Sequence, residues 1–95
     1  MSQIRSYVLA YFDWYLQHRC SDKEQDEFHR IRRRLQQNEL ALIEGSEAYY
    51  DPAIGPYMYR AFRFGRHRAV FGYDAHQDLI RFVDCHPYER QKRHE

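Results

Sequence analysis

The residues best suited to chemistry in this 95-residue chain are basic and aromatic side chains of its C-terminal half. They are Arg60, Arg63, Arg66, His67, Arg68, Arg81, His86 and Tyr88. An arginine guanidinium can bind phosphate oxygens and stabilise the negative charge that develops on them during a reaction. A histidine can transfer a proton near neutral pH, and a tyrosine can stack on a nucleobase. Together these residue types indicate a site for a phosphodiester.

Positive charge is concentrated in one stretch, although the formal net charge of the chain is only +1. Between Asp51 and Asp74 the sequence has no acidic residue but four arginines. The planar guanidinium fork binds phosphate or carboxylate better than the point charge of lysine does. A simpler alternative is that Arg60, Arg63 and Arg66 only keep exposed strand positions soluble.

Other kinds of site have little support in the sequence. Cys20 and Cys85 form neither a disulfide framework nor a paired zinc motif, so we interpret them as reduced thiols of a cytoplasmic protein. The serines lie outside any nucleophile-elbow motif, and no glycine-rich phosphate loop is present. No stretch is apolar enough to span a membrane. We therefore expect no metal, no cofactor and no membrane contact.

One domain, over residues 1–95, must hold these side chains in place. Apolar residues at helical spacing predict a first helix over about residues 3–19. Ser21 and Glu24 form a capping-box pattern, which predicts a second helix over about residues 22–43 that Gly45 ends. A loop follows at residues 44–56.

After this loop the pattern changes to strand periodicity. Alternating residues predict three strands in an antiparallel meander over about residues 57–86, with the first turn at Gly65-Arg66. The alternation of Ala69, Phe71 and Tyr73 indicates the face that the helices cover. We therefore expect Arg68 to lie on the uncovered face and to join Arg60 there.

The arrangement of two helices and a meander resembles the RelE/ParE superfamily of toxins from type II toxin–antitoxin pairs. The similarity lies in YMYRAFRFGRHRAVFGYDAHQDLIRFVDCHPYER, at residues 57–90. It consists of a strand that ends in a glycine-containing turn, the strand R-A-V-F that begins at Arg68, and a last strand that closes in C-H-P-Y. The implied fold is α+β, with two N-terminal helices packed on a three- to four-stranded antiparallel sheet. Members usually open with a short strand, whereas the spacing of residues 4–16 favours a helix.

The resemblance also implies a function. Nuclease-type members cut mRNA in the ribosomal A site, where the ribose 2′-hydroxyl attacks the neighbouring phosphate without a metal. Carried onto this sequence, the resemblance implies that Arg68, His86 and Tyr88 are catalytic. It assigns substrate binding to Arg60, Arg63 and, with a looser match, Arg81, and we add Arg66 because it belongs to the same basic hairpin. The implied partners are a cognate antitoxin, the ribosome and mRNA.

Two alternatives stay open. Other members of the superfamily inhibit DNA gyrase and carry no ribonuclease site. The chain could also be a phage- or plasmid-type inhibitor that blocks a nucleic-acid-binding machine. Tyrosine and arginine dominate protein interfaces as well as RNA sites, so composition does not distinguish these functions.

Overall fold

The computed structural model describes residues 4–37 and 40–88. The elements are β1 Arg5–Val8, α1 Ala10–Arg19, α2 Asp22–Gln36, α3 Leu40–Glu44, β2 Glu47–Tyr49, β3 Tyr59–Phe64, β4 His67–Asp74 and β5 Leu79–Pro87. They form an α+β fold around a five-stranded sheet of order β1-β5-β4-β3-β2. The meander β3-β4-β5 is antiparallel as predicted, whereas β1 runs parallel to β5. The sheet is therefore mixed and larger than the expected three or four antiparallel strands.

The chain opens with a strand, so the prediction of one helix over about residues 3–19 was wrong in its first part. The strand β1 pairs with β5 and α1 begins only at Ala10. Ile4 is buried and Val8 packs against the core, while Tyr7 is exposed. Residues four apart share a face both in a strand and in a helix, so this short segment fits either period.

The second predicted helix is divided, which corrects its expected extent to about residue 43. It begins as predicted, because the Glu24 amide donates to Ser21 Oγ at 3.1 Å and the Ser21 amide donates to Glu24 Oε1 at 2.9 Å. It ends at Gln36, whose carbonyl accepts a hydrogen bond from the Ile4 amide at 3.1 Å. The short helix α3 follows as a separate element. The end of α2 is thus tied to the start of β1.

Aromatic rings fill the core between the helices and one face of the sheet. Phe12 of α1 and Phe28 of α2 are fully buried, as are Phe71 and Phe82 of the sheet. The Phe28 ring centre lies 5.1 Å from that of Phe12 and 4.9 Å from that of Phe82. Ala69 and Phe71 belong to this core and Tyr73 packs against it, which confirms the predicted covered face. The opposite face of the sheet carries no helix among the described residues.

The turn between β3 and β4 packs tightly against the start of α2. Gly65 has a φ of +56°, a conformation that favours glycine, and a Cβ placed there would lie 2.6 Å from Glu24 Cγ. The Arg66 amide donates to Glu24 Oε2 at 3.3 Å, and His67 Nε2 lies 2.9 Å from Glu24 Oε1. Glu24 therefore caps its own helix and also holds the hairpin that carries the candidate site.

Candidate functional site

Arg68 lies on the uncovered face of the sheet with only 5% of its surface exposed. Its Nε is 3.0 Å from Glu47 Oε2, and its guanidinium carbon lies over the rings of Tyr88 at 4.6 Å and Tyr49 at 5.4 Å. This Nε makes no well-aligned hydrogen bond within the part of the chain that the structure describes. A buried cation is costly unless it is paired and hydrogen-bonded, and Glu47 is half-exposed. The guanidinium is therefore held in place with capacity to bind an anion.

His86 is the direct neighbour of Arg68 across β4 and β5. Its Nδ1 is 3.0 Å from Asp84 Oδ2, and its Nε2 is 3.4 Å from Tyr49 Oη. Because a carboxylate can only accept, we assign the ring proton to Nδ1, which leaves the Nε2 lone pair on the side of Tyr49. A carboxylate that orients an imidazole in this way prepares the other nitrogen for proton transfer.

Tyr88 completes a cluster with Arg68 and His86. Its amide donates to the Arg66 carbonyl at 2.9 Å, which extends the pairing of β5 with the hairpin. Arg63 lies opposite Arg68 on β3, and its guanidinium carbon is 4.6 Å from the Tyr88 ring centre. The structure thus brings the three predicted catalytic residues together, with Arg63 beside them.

Tyr49 is also part of this cluster, and its hydroxyl stays protonated at neutral pH. Burial raises the pKa of Tyr49 and the nearby Asp51 carboxylate adds to the increase, while Arg68 lowers it by less. The phenol can therefore donate a hydrogen bond to His86 Nε2 or to a bound anion.

The expectation that Arg60 joins Arg68 on the uncovered face was wrong. Arg60 pairs with Phe71 across the sheet, which places it on the helix-covered face. Its Nε donates to the Ile43 carbonyl at 2.7 Å, and its Nη2 donates to the Glu44 carbonyl at 3.0 Å. Both carbonyls lie in the last turn of α3, where intrahelical donors run out, and the Ile43 carbonyl also accepts from the Ser46 amide. Arg60 therefore caps a helix.

We expect Arg60→Ala to lower the free energy of unfolding by about 2 kcal/mol, because several hydrogen bonds to a charged donor are lost. The cluster around Arg68 should keep its arrangement, because Arg60 lies on the other face of the sheet. Urea denaturation measures the change in stability. Wild-type stability in Arg60→Ala would contradict the assignment of Arg60 as a helix cap.

Arg66 and Arg81 lie apart from the cluster around Arg68. The Arg66 side chain is 83% exposed at the hairpin turn, and its Nε is 4.0 Å from Glu24 Oε2. Arg81 is exposed on the uncovered face, where its neighbour on β4 is Gly72. Gly72 is four residues from Arg68, which corresponds to about 13 Å along a strand.

Three residues of the cluster were not predicted from the sequence: Glu47, Tyr49 and Asp84. Glu47 and Tyr49 lie on β2, inside the segment predicted to be a loop. Three residues are too few for alternation to indicate a strand. Asp84 was the one that could have been found, because it lies two residues before His86 on a predicted strand and so shares its face.

A second group of polar side chains lies under the hairpin turn. Donor atoms of Cys20, Glu24 and His67 lie within 4.8 Å of one another, an arrangement that can hold a metal. Here Glu24 accepts three hydrogen bonds, and His67 Nδ1 is 3.0 Å from Tyr15 Oη. Burial and the Glu24 charge raise the pKa of Cys20 to about 11, so the thiol is neutral at physiological pH. We interpret the group as a hydrogen-bond network that fastens the hairpin to the helices.

Among residues 4–37 and 40–88, no helix has the length and hydrophobicity that a bilayer-spanning segment needs.

Sequence comparison finds no relative for this chain: no protein-family model matches it, and no curated protein shows significant similarity. Structural comparison does find a similar protein, the archaeal RelE–RelB complex from Pyrococcus horikoshii OT3. The superposition has a TM-score of 0.72 at 17% sequence identity, and it covers 93% of this chain and 98% of the matched chain. At 17% sequence identity, the similarity establishes the fold alone. The chain has a RelE-like fold.

Proposed function

We propose that this protein is the toxin of a type II toxin–antitoxin pair and that it cuts mRNA on the ribosome. The observation that carries the proposal is the buried Arg68 guanidinium beside the oriented His86–Asp84 pair on the open face of the sheet. The RelE-like fold supports the same proposal. Such an activity is cytoplasmic, and it needs an antitoxin as binding partner.

The chemistry follows from the positions of these groups. A phosphate that enters the site takes the place of Glu47 at the Arg68 guanidinium, because Glu47 is half-exposed and can turn into solvent. His86 Nε2 accepts the proton of the ribose 2′-hydroxyl, and the 2′ oxygen attacks the phosphorus. The bond to the 5′ oxygen breaks, which leaves a 2′,3′-cyclic phosphate and a 5′-hydroxyl end. Arg68 stabilises the charge of the transition state. The Tyr88 hydroxyl donates a proton to the departing 5′ oxygen, and the proton that His86 took up then returns to the Tyr88 phenolate through solvent.

We expect His86→Gln to lower mRNA cleavage by about 100-fold or more, because glutamine keeps the size and polarity of the side chain but cannot take up the proton. The measurement is growth of a bacterial host after induction, together with mapping of the 5′ ends of its mRNA. His18→Gln is the matched control, since His18 lies on the exposed surface of α1 and bonds only to its own helix through the Trp14 carbonyl.

The outcomes of this experiment separate the proposed functions. Growth arrest with new mRNA ends, both lost in His86→Gln and kept in His18→Gln, supports the nuclease. Arrest with intact mRNA would contradict cleavage and favour a gyrase-type target. Growth without arrest would contradict the toxin itself and favour an inhibitor that acts on one partner protein.

A further inference from the structure

A second concave region lies on the same face of the sheet as Arg68, toward the other end of β4. It is a groove of about 430 Å³, lined among others by Tyr57, Tyr59, Gly72, His76 and Arg81. We call it the aromatic groove. Its volume lies in the range of small-ligand sites.

The floor and walls of the aromatic groove have a definite shape. Gly72 leaves bare backbone at the floor, where an added Cβ would lie 3.4 Å from the Tyr59 ring. The rings of Tyr57 and Tyr59 are 6.4 Å apart and perpendicular, at 88°. Gly55 packs so closely on the Tyr59 hydroxyl that a Cβ there would lie 2.6 Å away, so the loop before β3 fixes this ring. A flat ring that enters the groove meets one tyrosine face and the edge of the other.

Exposure and charge indicate what enters the groove. Tyr57 and its neighbour Met58 are 67% and 66% exposed and both line the groove, so they offer apolar surface on which a ring can pack. Arg81 lies exposed at the rim, where it can bind a phosphate. Asp74 also lines the groove, but its carboxylate accepts hydrogen bonds from the amides of His76 and Gln77 and from the Gln77 side chain, so stacking and Arg81 are left to hold the ligand.

The aromatic groove and the site around Arg68 lie on the same face of the sheet. Arg68 pairs with His86 and Gly72 pairs with Arg81, and both pairs lie on the uncovered face of the sheet. They are about 13 Å apart along β4. An extended single strand bridges this distance with roughly one or two nucleotides between the two sites.

We propose that the aromatic groove binds an unpaired nucleobase of the same RNA whose scissile phosphate lies at Arg68. This inference rests on the proposed function and adds a base-stacking subsite to it. Tyrosine rings stack on any base, so the subsite strengthens RNA binding with little sequence preference. It contributes to affinity and leaves the chemical step to Arg68 and His86.

The test compares RNA that has a base with RNA that lacks one. A single-stranded RNA oligonucleotide receives an abasic nucleotide at successive positions on both sides of the cleaved bond. Binding is measured by fluorescence anisotropy with wild-type protein, and a 2′-deoxynucleotide immediately 5′ of the scissile phosphate keeps the RNA from being cut. At one position, within roughly one or two nucleotides of the scissile phosphate, we expect removal of the base to weaken binding about tenfold.

Variants then assign this effect to the groove. Gly72→Leu, measured with the same uncleavable RNA, fills the groove and should weaken binding of RNA that keeps all its bases about tenfold, with no further loss on the abasic RNA. Gly72→Ala should lose less, because its Cβ makes only ordinary contact with Tyr59. Tyr59→Leu serves as a second variant in case Gly72→Leu is unstable. Ala53→Leu, which adds the same side chain to the exposed loop outside the groove, is the matched control.

Each outcome supports or overturns the inference. Equal affinity for intact and abasic RNA at every position would overturn the inference. It would also be overturned if Gly72→Leu and removal of the base each weakened binding and their losses of binding free energy added up in combination. Normal RNA binding by Gly72→Leu together with weakened binding of the antitoxin would also overturn it, in favour of a protein-binding groove. Failure of the wild-type protein to cleave mRNA would count against the proposed function, and it is read in a separate assay.

Discussion

Replacing Arg68 with alanine should lower the rate of mRNA cleavage by about 100-fold or more and abolish growth arrest. The guanidinium is buried on the open face of the sheet, beside His86 and between two tyrosine rings. It is thus positioned to stabilise the charge of a reacting phosphate. The measurement is single-turnover cleavage of mRNA bound to ribosomes, with wild-type and variant protein compared at equal folded concentration.

Two further variants make this prediction specific. Arg68→Lys keeps the charge but loses the planar fork, so its activity should lie between those of the wild type and Arg68→Ala. Arg30→Ala removes an exposed arginine from α2 and should cleave at the wild-type rate. Arg68→Ala removes a buried side chain that packs on two tyrosine rings, so we expect some loss of stability, and urea denaturation measures the folded fraction before rates are compared. Cleavage by folded Arg68→Ala at near the wild-type rate would contradict the assigned role.

The second large effect concerns stability: Glu24→Ala should lower the free energy of unfolding by about 3 kcal/mol. Glu24 accepts hydrogen bonds from the amides of Ser21 and Arg66 and from the His67 ring, so it joins α2 to the hairpin. Urea denaturation at neutral pH measures the change. Asp26→Ala, an exposed acid of the same helix, should change stability little. Equal losses in the two variants would contradict the role of Glu24 as a junction.

The same carboxylate should make the protein sensitive to acid. Burial alone would raise the pKa of Glu24, but hydrogen bonds from the Ser21 amide, the His67 ring and the Arg66 amide outweigh it and lower the pKa from 4.5 to about 2. Because the folded-state pKa lies below the unfolded value, the stabilisation is complete above about pH 4.5 and is lost as the pH falls toward 2. Denaturation curves at several pH values should show that wild-type and Glu24→Gln proteins converge in acid. A difference in the free energy of unfolding between the two proteins that stays the same at every pH would contradict this prediction.

Local signals in the sequence predicted the elements that carry the site. The Ser21–Glu24 capping box predicted the start of α2. Residues three apart at a helix start can accept hydrogen bonds from each other's backbone amides, so the pattern can be recognised from the sequence alone. Alternation through Ala69 and Phe71 identified the covered face of β4, so Arg68 was correctly placed on the open one. These features depend on residues close together in the chain.

The sequence pattern did not predict the pairing of strands that are distant along the chain. The strand β1 gains its partner from β5, more than 70 residues away in the chain, and its four residues fit two periods equally. The strand β2 has three residues and is defined by its pairing with β3. Because this strand was not predicted, Glu47 and Tyr49 were not recognised as part of the cluster around Arg68. Arg60 was misplaced because the register of the hairpin was not followed through: the two-residue turn at Gly65-Arg66 pairs Arg63 with Arg68 and Arg60 with Phe71, so Arg63 shares the face of Arg68.

The central claim is that the open face of this sheet cuts RNA through the ribose 2′-hydroxyl. The most direct test uses ribosomes programmed with two mRNAs, one natural and one with a single 2′-deoxynucleotide immediately 5′ of the cleaved bond. We expect the natural mRNA to give a 2′,3′-cyclic phosphate end and the deoxy mRNA to stay intact at that bond. Cleavage of the deoxy mRNA at the same bond would contradict this claim.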